Sequence, residues 1–105
     1  YLYASSNHNI VSTNMVISNS EAAYNAYHGI IVASDCDYNN IQGNTVRRGP
    51  ESPKQRYGIQ IGPVGCDNNL VINNDLYNAG VTGDYVDYGT GTIYHNNRTS
   101  AGWVP

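Results

Sequence analysis

Short apolar runs separated by Asn and Gly recur along the chain at an interval of thirty residues. Segments 6–16, 36–46 and 66–76 match position by position. The matching columns are Ser6/Cys36/Cys66, Asn9/Asn39/Asn69, Val11/Ile41/Val71, Asn14/Asn44/Asn74 and Val16/Val46/Leu76. Self-similarity at a fixed period is the signature of a stacked repeat architecture. Apolar runs this short, bounded by turn-forming residues, predict strands rather than helices.

A second set of strands follows from the segments after each motif. Segment 58–61 is equivalent to segment 29–32, one residue short of the thirty-residue period. Gln60 should therefore face outward, while its two isoleucine neighbours face inward. A strand over residues 85–88 should place Val86 in the same column as Ile59. A fourth copy of the motif begins at Ile93, twenty-two residues after Val71.

Stacking of these repeats predicts an all-β solenoid of about three and a half coils, with three short strands per coil. Each strand should pair in parallel with its equivalent about 4.8 Å away in the next coil. We assign residues 1–98 to the coils and residues 99–105 to a C-terminal exit or cap segment. Because the sequence opens at Tyr1 inside a repeat, we expect it to be a processed or excised piece.

The Asn and Cys columns have separate explanations. Asn tolerates the left-handed backbone conformation that a sharp bend between strands needs. Stacked Asn side chains can also hydrogen-bond along the column and so satisfy buried amides. Cys36 and Cys66 should be two small interior residues that stack as thiols without forming a disulfide.

Composition narrows the class of partner. Only 12% of the residues are charged and the net charge is −3, which argues against a nucleic-acid partner, because a protein surface that binds nucleic acid is basic. No apolar run is long enough to cross a membrane, and no signal peptide is visible. Two cysteines without a CxxC pair or a Cys/His cluster argue against a zinc site.

The repeat pattern Cys/Ser–Asp/Asn–x–Asn–x–Val/Ile–x–x–Asn–x–Val/Leu resembles the right-handed parallel β-helix of the pectate-lyase superfamily. That superfamily includes polysaccharide lyases and hydrolases, epimerases, phage tailspikes and carbohydrate-binding β-helices. The resemblance implies a polysaccharide partner and an extracellular or virion-surface location. Segment 89–97 is similar to the last coil of phage-type members.

The longest loops, 18–27, 47–56 and 78–84, all lead into one strand column, which predicts a groove on that side. Basic residues cluster in the second loop, and cations of this kind recognise acidic sugars. Tyrosines crowd the same side and could stack on sugar rings. The predicted substrate-binding residues are His28, Arg48, Lys54, Tyr57, Gln60 and Tyr88.

Three residues are candidates for catalysis. Segment 53–58 resembles half of the pectate-lyase signature, which implies that Arg56 is the base, although Glu51 stands where the signature has its first Arg. Asp84 and Asp87 could present two carboxylates on one strand edge, for glycoside hydrolysis or for calcium. The alternative is that both are turn aspartates.

Two functions therefore stay open. The first is a polysaccharide-binding or polysaccharide-degrading module, which as an enzyme would be a lyase or glycoside hydrolase with an incomplete catalytic signature. The second is a non-catalytic structural β-helix of a phage appendage or a cell-surface scaffold. Calcium is the one cofactor considered, and further partners would be a homo-oligomer or the remaining coils of a longer β-helix.

Overall fold

A computed structural model of the chain describes residues 1–17, 27–49, 55–62 and 65–104. Its strands are β1 (Ile10–Ser12), β2 (Met15–Ile17), β3 (Ile30–Val32), β4 (Asn40–Gln42), β5 (Thr45–Arg47), β6 (Tyr57–Ile61), β7 (Leu70–Ile72), β8 (Gly83–Asp87), β9 (Ile93–His95), β10 (Asn97–Thr99) and β11 (Gly102–Val104). The described part of the chain contains no helix.

The strands form three parallel sheets that wrap around one core. The first sheet has the order β1-β4-β7-β9. The second sheet pairs β2 with β5 and continues through single bridges to Asp75 and Arg98. The third sheet has the order β3-β6-β8, with Leu2 bridged to Val32 at its edge. This is a parallel β-helix, which confirms the predicted fold class.

Inward-facing columns fill the core as the repeat predicts. Val11, Ile41 and Val71 are Cα partners in the first sheet, and the last two are fully buried. Val46 and Leu76 are also fully buried in the second sheet. Ile59 pairs with Ile30, one residue short of the thirty-residue period, as predicted. Both cysteines are buried and neither forms a disulfide.

The Asn columns are hydrogen-bonded ladders. Asn44 Oδ1 accepts from both the backbone N–H and the side-chain Nδ2 of Asn14, and Asn74 Oδ1 accepts the same pair from Asn44. The other predicted reason for these asparagines is wrong. The left-handed backbone lies one residue earlier, at Thr13, Gly43, Asn73 and Asn96 in one turn and at His8, Tyr38, Asn68 and Gly91 in the other. The ladder residues are therefore selected by their amide groups.

The last coil differs from the predicted register. Tyr85, rather than Val86, is the partner of Ile59, and Tyr94, rather than Ile93, is the partner of Val71. The two tyrosine rings stack on each other with centroids 4.2 Å apart and pack against the core. Because no further coil among the described residues covers this end, two large rings occupy positions that Val or Ile fills elsewhere.

β11 ends the second sheet. It runs antiparallel to β10, with Asn97 opposite Val104 and Thr99 opposite Gly102.

The described residues include no helix long and apolar enough to cross a membrane.

Candidate functional site

The outer face of the third sheet is where the sequence predicts the groove. Ile31 and Gln60 are Cα partners that face outward, and Val86 is the partner of Gln60 in the next coil. The sequence predicted Val86 in the inward column of Ile59, which would have put Asp87 beside Gln60, but the structure puts Val86 there instead. The correction follows from the shift that places Tyr85 inside.

Aromatic rings stack at the start of this face. The His28 and Tyr57 rings lie 5.7 Å apart, with 22° between their planes. Gly83 is the Cα partner of Tyr57 in the next coil, and a Cβ placed on Gly83 would lie 3.3 Å from the Tyr57 ring. The glycine therefore leaves room for the ring at the centre of the stack.

Arg56 is exposed at the side of this stack. Its guanidinium carbon lies 5.3 Å from the centroid of the Tyr57 ring, within the range of a cation–π contact. Its backbone N–H donates to Tyr27 O at 2.6 Å, and its carbonyl accepts from the N–H of Thr82. The chain on both sides thus fixes the backbone from which the guanidinium extends.

A buried amide, which the sequence did not single out, anchors this segment. Gln55 is fully buried, its side-chain Nε2 donates to Ala79 O, and its backbone carbonyl accepts from Val81 N–H. These bonds tie the residue before Arg56 to the loop of the next coil. A Gln at the end of a polar loop has no sequence signature of burial, because its surroundings come from residues more than twenty positions away.

The electrostatics of the stack favour a neutral histidine. Burial, and then the positive charge of Arg56, lower the pKa of His28 below its ordinary value. Its Nδ1 is buried and has no hydrogen-bond partner within the described residues. At neutral pH the formal charge beside Tyr57 therefore comes from Arg56.

Asp84 is committed to backbone hydrogen bonds. Its Oδ1 accepts from Ala79 N–H at 2.9 Å, and its Oδ2 accepts from Ser100 N–H at 2.7 Å. One carboxylate thereby holds the loop before β8 against the turn after β10. Asp84 lies within β8, and its carboxylate has a structural role there.

The Asp87 side chain has different surroundings from that of Asp84. It is the Cα partner of Ile61, whose side chain is fully buried, so it belongs to the inward column. Its Oδ2 accepts from the Tyr85 hydroxyl at 3.2 Å and its Oδ1 accepts from Gly89 N–H at 2.8 Å. The two carboxylates do not form the predicted pair on one strand edge, because Asp84 bonds to Ala79 and Ser100 whereas Asp87 bonds to Tyr85 and Gly89.

The remaining predicted residues scatter around this face. Tyr88 is exposed beside Gly62, beyond the end of β6 and away from Tyr57. Arg48 follows β5, and its backbone N–H donates to Asn78 O. No contact in the described residues joins its side chain to Arg56, and Lys54 lies outside the described residues.

Almost the whole chain matches the model of one protein family. Residues 1–99 match the family described as "Periplasmic copper-binding protein (NosD)". The chain belongs to the NosD family. This is a family of right-handed parallel β-helices within the pectate-lyase-like superfamily, so the expected superfamily is confirmed, although no lyase, hydrolase or tailspike member is indicated. Comparisons with curated proteins and with solved structures gave no significant match.

The NosD-family chain has a second charged cluster, on the outer face of the second sheet, which sequence reasoning missed. Asp75 Oδ2 lies 2.8 Å from Arg47 and 3.3 Å from Arg98. The guanidinium of Arg98 also lies 4.7 Å from the centroid of the Tyr77 ring. Arg47, which belongs to the basic loop 47–56 of the sequence analysis, is thus paired with a carboxylate, and its charge is largely neutralised there.

Proposed function

We propose that this NosD-family chain is a non-catalytic β-helix module that binds an acidic polysaccharide on the outer face of the third sheet. The observation that supports it is the exposed Arg56 guanidinium beside the Tyr57–His28 stack. An arginine fork binds a carboxylate through two parallel hydrogen bonds, and aromatic side chains stack on the apolar faces of sugar rings. The arrangement offers both kinds of contact side by side.

The rest of the face suits an extended ligand. Tyr57 and Gln60 are the two half-buried positions of β6, because Gly58 and Ile59 between them are both buried and interrupt the alternation of the strand. They lie about 10 Å apart at the rise of a strand. Tyr27, whose carbonyl accepts from Arg56, is 55% exposed and adds an aromatic ring one coil away. A polysaccharide that runs along β6 would contact Arg56 first and Gln60 next.

The hydrogen bonds of Asp84 and Asp87 favour binding of the polysaccharide without its cleavage. Asp84 already accepts two backbone N–H bonds, and Asp87 lies in the inward column with both oxygens bonded. Neither carboxylate forms an ion pair with Arg56 in the part of the chain that the structure describes. We therefore propose Arg56 as a binding residue.

The family description supports an envelope location. It names the periplasm rather than a virion surface. Periplasmic and extracellular modules both meet polysaccharides of the cell envelope, so the location is compatible with a glycan ligand.

Copper is a second candidate ligand, because the family description names it. The sequence contains six side chains with soft or imidazole donors, and all six lie in the described residues: His8, His28, His95, Cys36, Cys66 and Met15. No three His, Cys, Asp or Glu side chains in the described residues come together as a metal site. Cys36 and Cys66 are fully buried, and the Cys36 thiol donates to Ala33 O at 2.8 Å. These donors do not fit a copper centre in the folded chain.

Copper titration of the folded chain tests this. We expect no stoichiometric binding of Cu(I) or Cu(II) while the chain is folded, and Cu(I) binding by the two thiols after denaturation. One equivalent of copper held by the folded chain would contradict the assignment, and its loss in Cys36→Ser would show that this thiol is a ligand. Circular dichroism on the same samples verifies that the wild type and Cys36→Ser are folded before denaturation.

Calorimetric titration with a short oligogalacturonate tests glycan binding. We expect saturable binding that weakens with added salt, because Arg56 contributes a charge–charge contact. A neutral cello-oligosaccharide of the same length should bind more weakly. No detectable binding of either oligosaccharide would leave the structural scaffold as the function of this module.

A further inference from the structure

The backbone holds His28 in a fixed position beside Arg56. Before it, Tyr27 O accepts from Arg56 N–H at 2.6 Å, and after it, Gly29 N–H donates to Tyr57 O at 3.0 Å. The chain at Gly29 is also tightly packed, because a Cβ placed on it would lie 2.6 Å from a backbone carbonyl oxygen of β6. The imidazole therefore extends from a backbone that is bonded to the segment carrying the guanidinium.

The Tyr57 ring lies next to both groups. The His28 ring is stacked on it with centroids 5.7 Å apart, and Arg56 Cζ lies 5.3 Å from its centroid. A charge on the imidazole would thus lie close to the guanidinium and to any ligand bound at this ring. Over distances this short, salt in the solvent screens the interaction between two charges only in part.

The described neighbours of His28 include no carboxylate that pairs with it. Neither ion pair in the described part of the chain involves this histidine, and the other titratable side chains next to it are the phenols of Tyr27 and Tyr57. In the next coil, β8 places Gly83 opposite Tyr57, and the Asp84 carboxylate accepts from two backbone N–H groups. Protonation of His28 would therefore add a second positive charge beside the guanidinium.

The chain without ligand disfavours that second charge. Burial, and then the positive charge of Arg56, lower the pKa of His28. In addition, its Nδ1 is buried without a hydrogen-bond partner among the described residues. The site therefore holds one cation at neutral pH, although it contains two groups that can be cationic.

An acidic ligand at Arg56 reverses this balance. The carboxylate that pairs with the guanidinium offsets its positive charge and brings a negative charge close to the imidazole. A negative charge within about 4–6 Å favours the protonated form of a histidine, whereas a positive charge disfavours it. Binding thus makes His28 easier to protonate, and by reciprocity protonation of His28 makes the acidic ligand bind more tightly.

We propose that the Arg56 face takes up one proton at His28 when it binds its acidic polysaccharide, so that its affinity rises as the pH falls. This inference rests on the proposed function and adds the regulation of that same site. The proton comes from the buffer and adds to the unprotonated nitrogen of the imidazole. A neutral glycan brings no negative charge to the imidazole, so the preference for acidic chains is strongest in mildly acidic solution.

Calorimetric titration with oligogalacturonate at about pH 5.5 and about pH 7.5 tests the proposal, because these values bracket the ordinary histidine pKa of about 6.5. We expect the wild type to bind about fivefold more tightly, or more, at the lower pH, which is the size of a typical coupling between two sites. Titration in two buffers with different enthalpies of ionisation counts the protons, and we expect net uptake. His28→Gln should bind with nearly the same affinity at both pH values and take up no proton.

The two other histidines of the chain supply matched controls. His8 is exposed and stacks on Tyr38, and His95 is exposed at the end of β9 in the first sheet. His8→Gln and His95→Gln each remove one imidazole from another part of the surface, so both should keep the pH dependence and the proton uptake. Circular dichroism at both pH values verifies that each sample is folded.

The outcomes separate this inference from glycan binding itself. Wild-type binding that is independent of pH and takes up no proton would overturn the inference and leave glycan binding at Arg56 in place. Absence of binding at both pH values would overturn both. A pH dependence that persists in His28→Gln, or that is lost in His8→Gln or His95→Gln, would assign the proton to another group. The proton count in the wild type and the two controls decides the matter even if His28→Gln does not fold.

Discussion

At the residue scale, the asparagines of the ladders carry much of the specificity of the fold. Asn39, Asn44, Asn69, Asn74 and Asn97 are buried, and each amide bonds to the backbone or side chain of a neighbouring coil. Leaving a buried amide without its hydrogen-bond partner costs more free energy than a typical hydrogen bond contributes on balance. The ladders therefore lock the register of the coils as well as stabilising them.

Replacing one ladder residue tests this. Asn74 accepts two bonds from Asn44 and donates to Ile41 O and to Asn97 Oδ1. We expect Asn74→Ala to lower the free energy of unfolding by about 2–4 kcal/mol, because several buried groups lose their partners. Urea denaturation measures the change. Asn40→Ala is the matched control, since Asn40 Oδ1 is buried without a partner in the described residues, and it should cost far less.

His28 gives a pH dependence at the same scale. Burial and the charge of Arg56 lower its pKa in the folded state, so the unfolded chain binds the proton more readily. Its contribution to stability is complete above the unfolded pKa, about 6.5, and is lost as the pH falls toward the lowered folded pKa.

We therefore expect the melting temperature to drop as the pH is taken below about 6.5, and His28→Gln to flatten that part of the profile. His8→Gln, which removes an exposed histidine stacked on Tyr38, is the control and should leave the pH profile in place. An unchanged profile in His28→Gln would show that the titration has another source.

At the scale of the elements, the turns set which side chain the repeat accepts. The turn before the second sheet holds Thr13, Gly43, Asn73 and Asn96 at positive φ. Gly and Asn tolerate this conformation, whereas a β-branched residue such as Thr13 is strained in it. The first coil thus carries a local cost that the later coils avoid.

Relief of that strain should stabilise the chain. We expect Thr13→Asn to raise the free energy of unfolding by about 1 kcal/mol, since a non-glycine residue in the left-handed region costs about 1–2 kcal/mol. Denaturant titration detects the change as a higher midpoint with an unchanged slope. Thr45→Asn, in β5 and outside the positive-φ positions, should give no gain.

The elements also show where sequence reasoning succeeds. Three matching motifs defined the first and second sheets, because identical columns must stack one coil apart. The last coil departs from the predicted register, because Tyr85 and Tyr94 occupy its inward positions where the repeat pattern predicts Val and Ile. One residue of slip was enough to move Asp87 from the predicted groove to the inward column.

At the scale of the whole molecule, the site is a surface assembled from different coils. The cluster of His28, Arg56 and Tyr57 was predictable, because all three lie near one strand column. The anchor Gln55 and the Arg47–Asp75–Arg98 cluster were not, because they depend on side-chain directions across coils. The repeat therefore predicts faces better than it predicts which charges on a face are already paired.

A matched pair of arginine variants tests glycan binding by this face most directly. Arg56→Ala removes the guanidinium beside Tyr57, while Arg98→Ala removes the same charge from the second sheet and leaves Asp75 paired with Arg47.

The measurement is the dissociation constant for oligogalacturonate by calorimetry. A hydrogen bond to a charged group is worth about 1.5–3 kcal/mol, so we expect Arg56→Ala to weaken binding by roughly tenfold to a hundredfold. Arg98→Ala should change it little. Equal affinities for the wild type and Arg56→Ala, or an equal loss in both variants, would contradict a glycan site at Arg56.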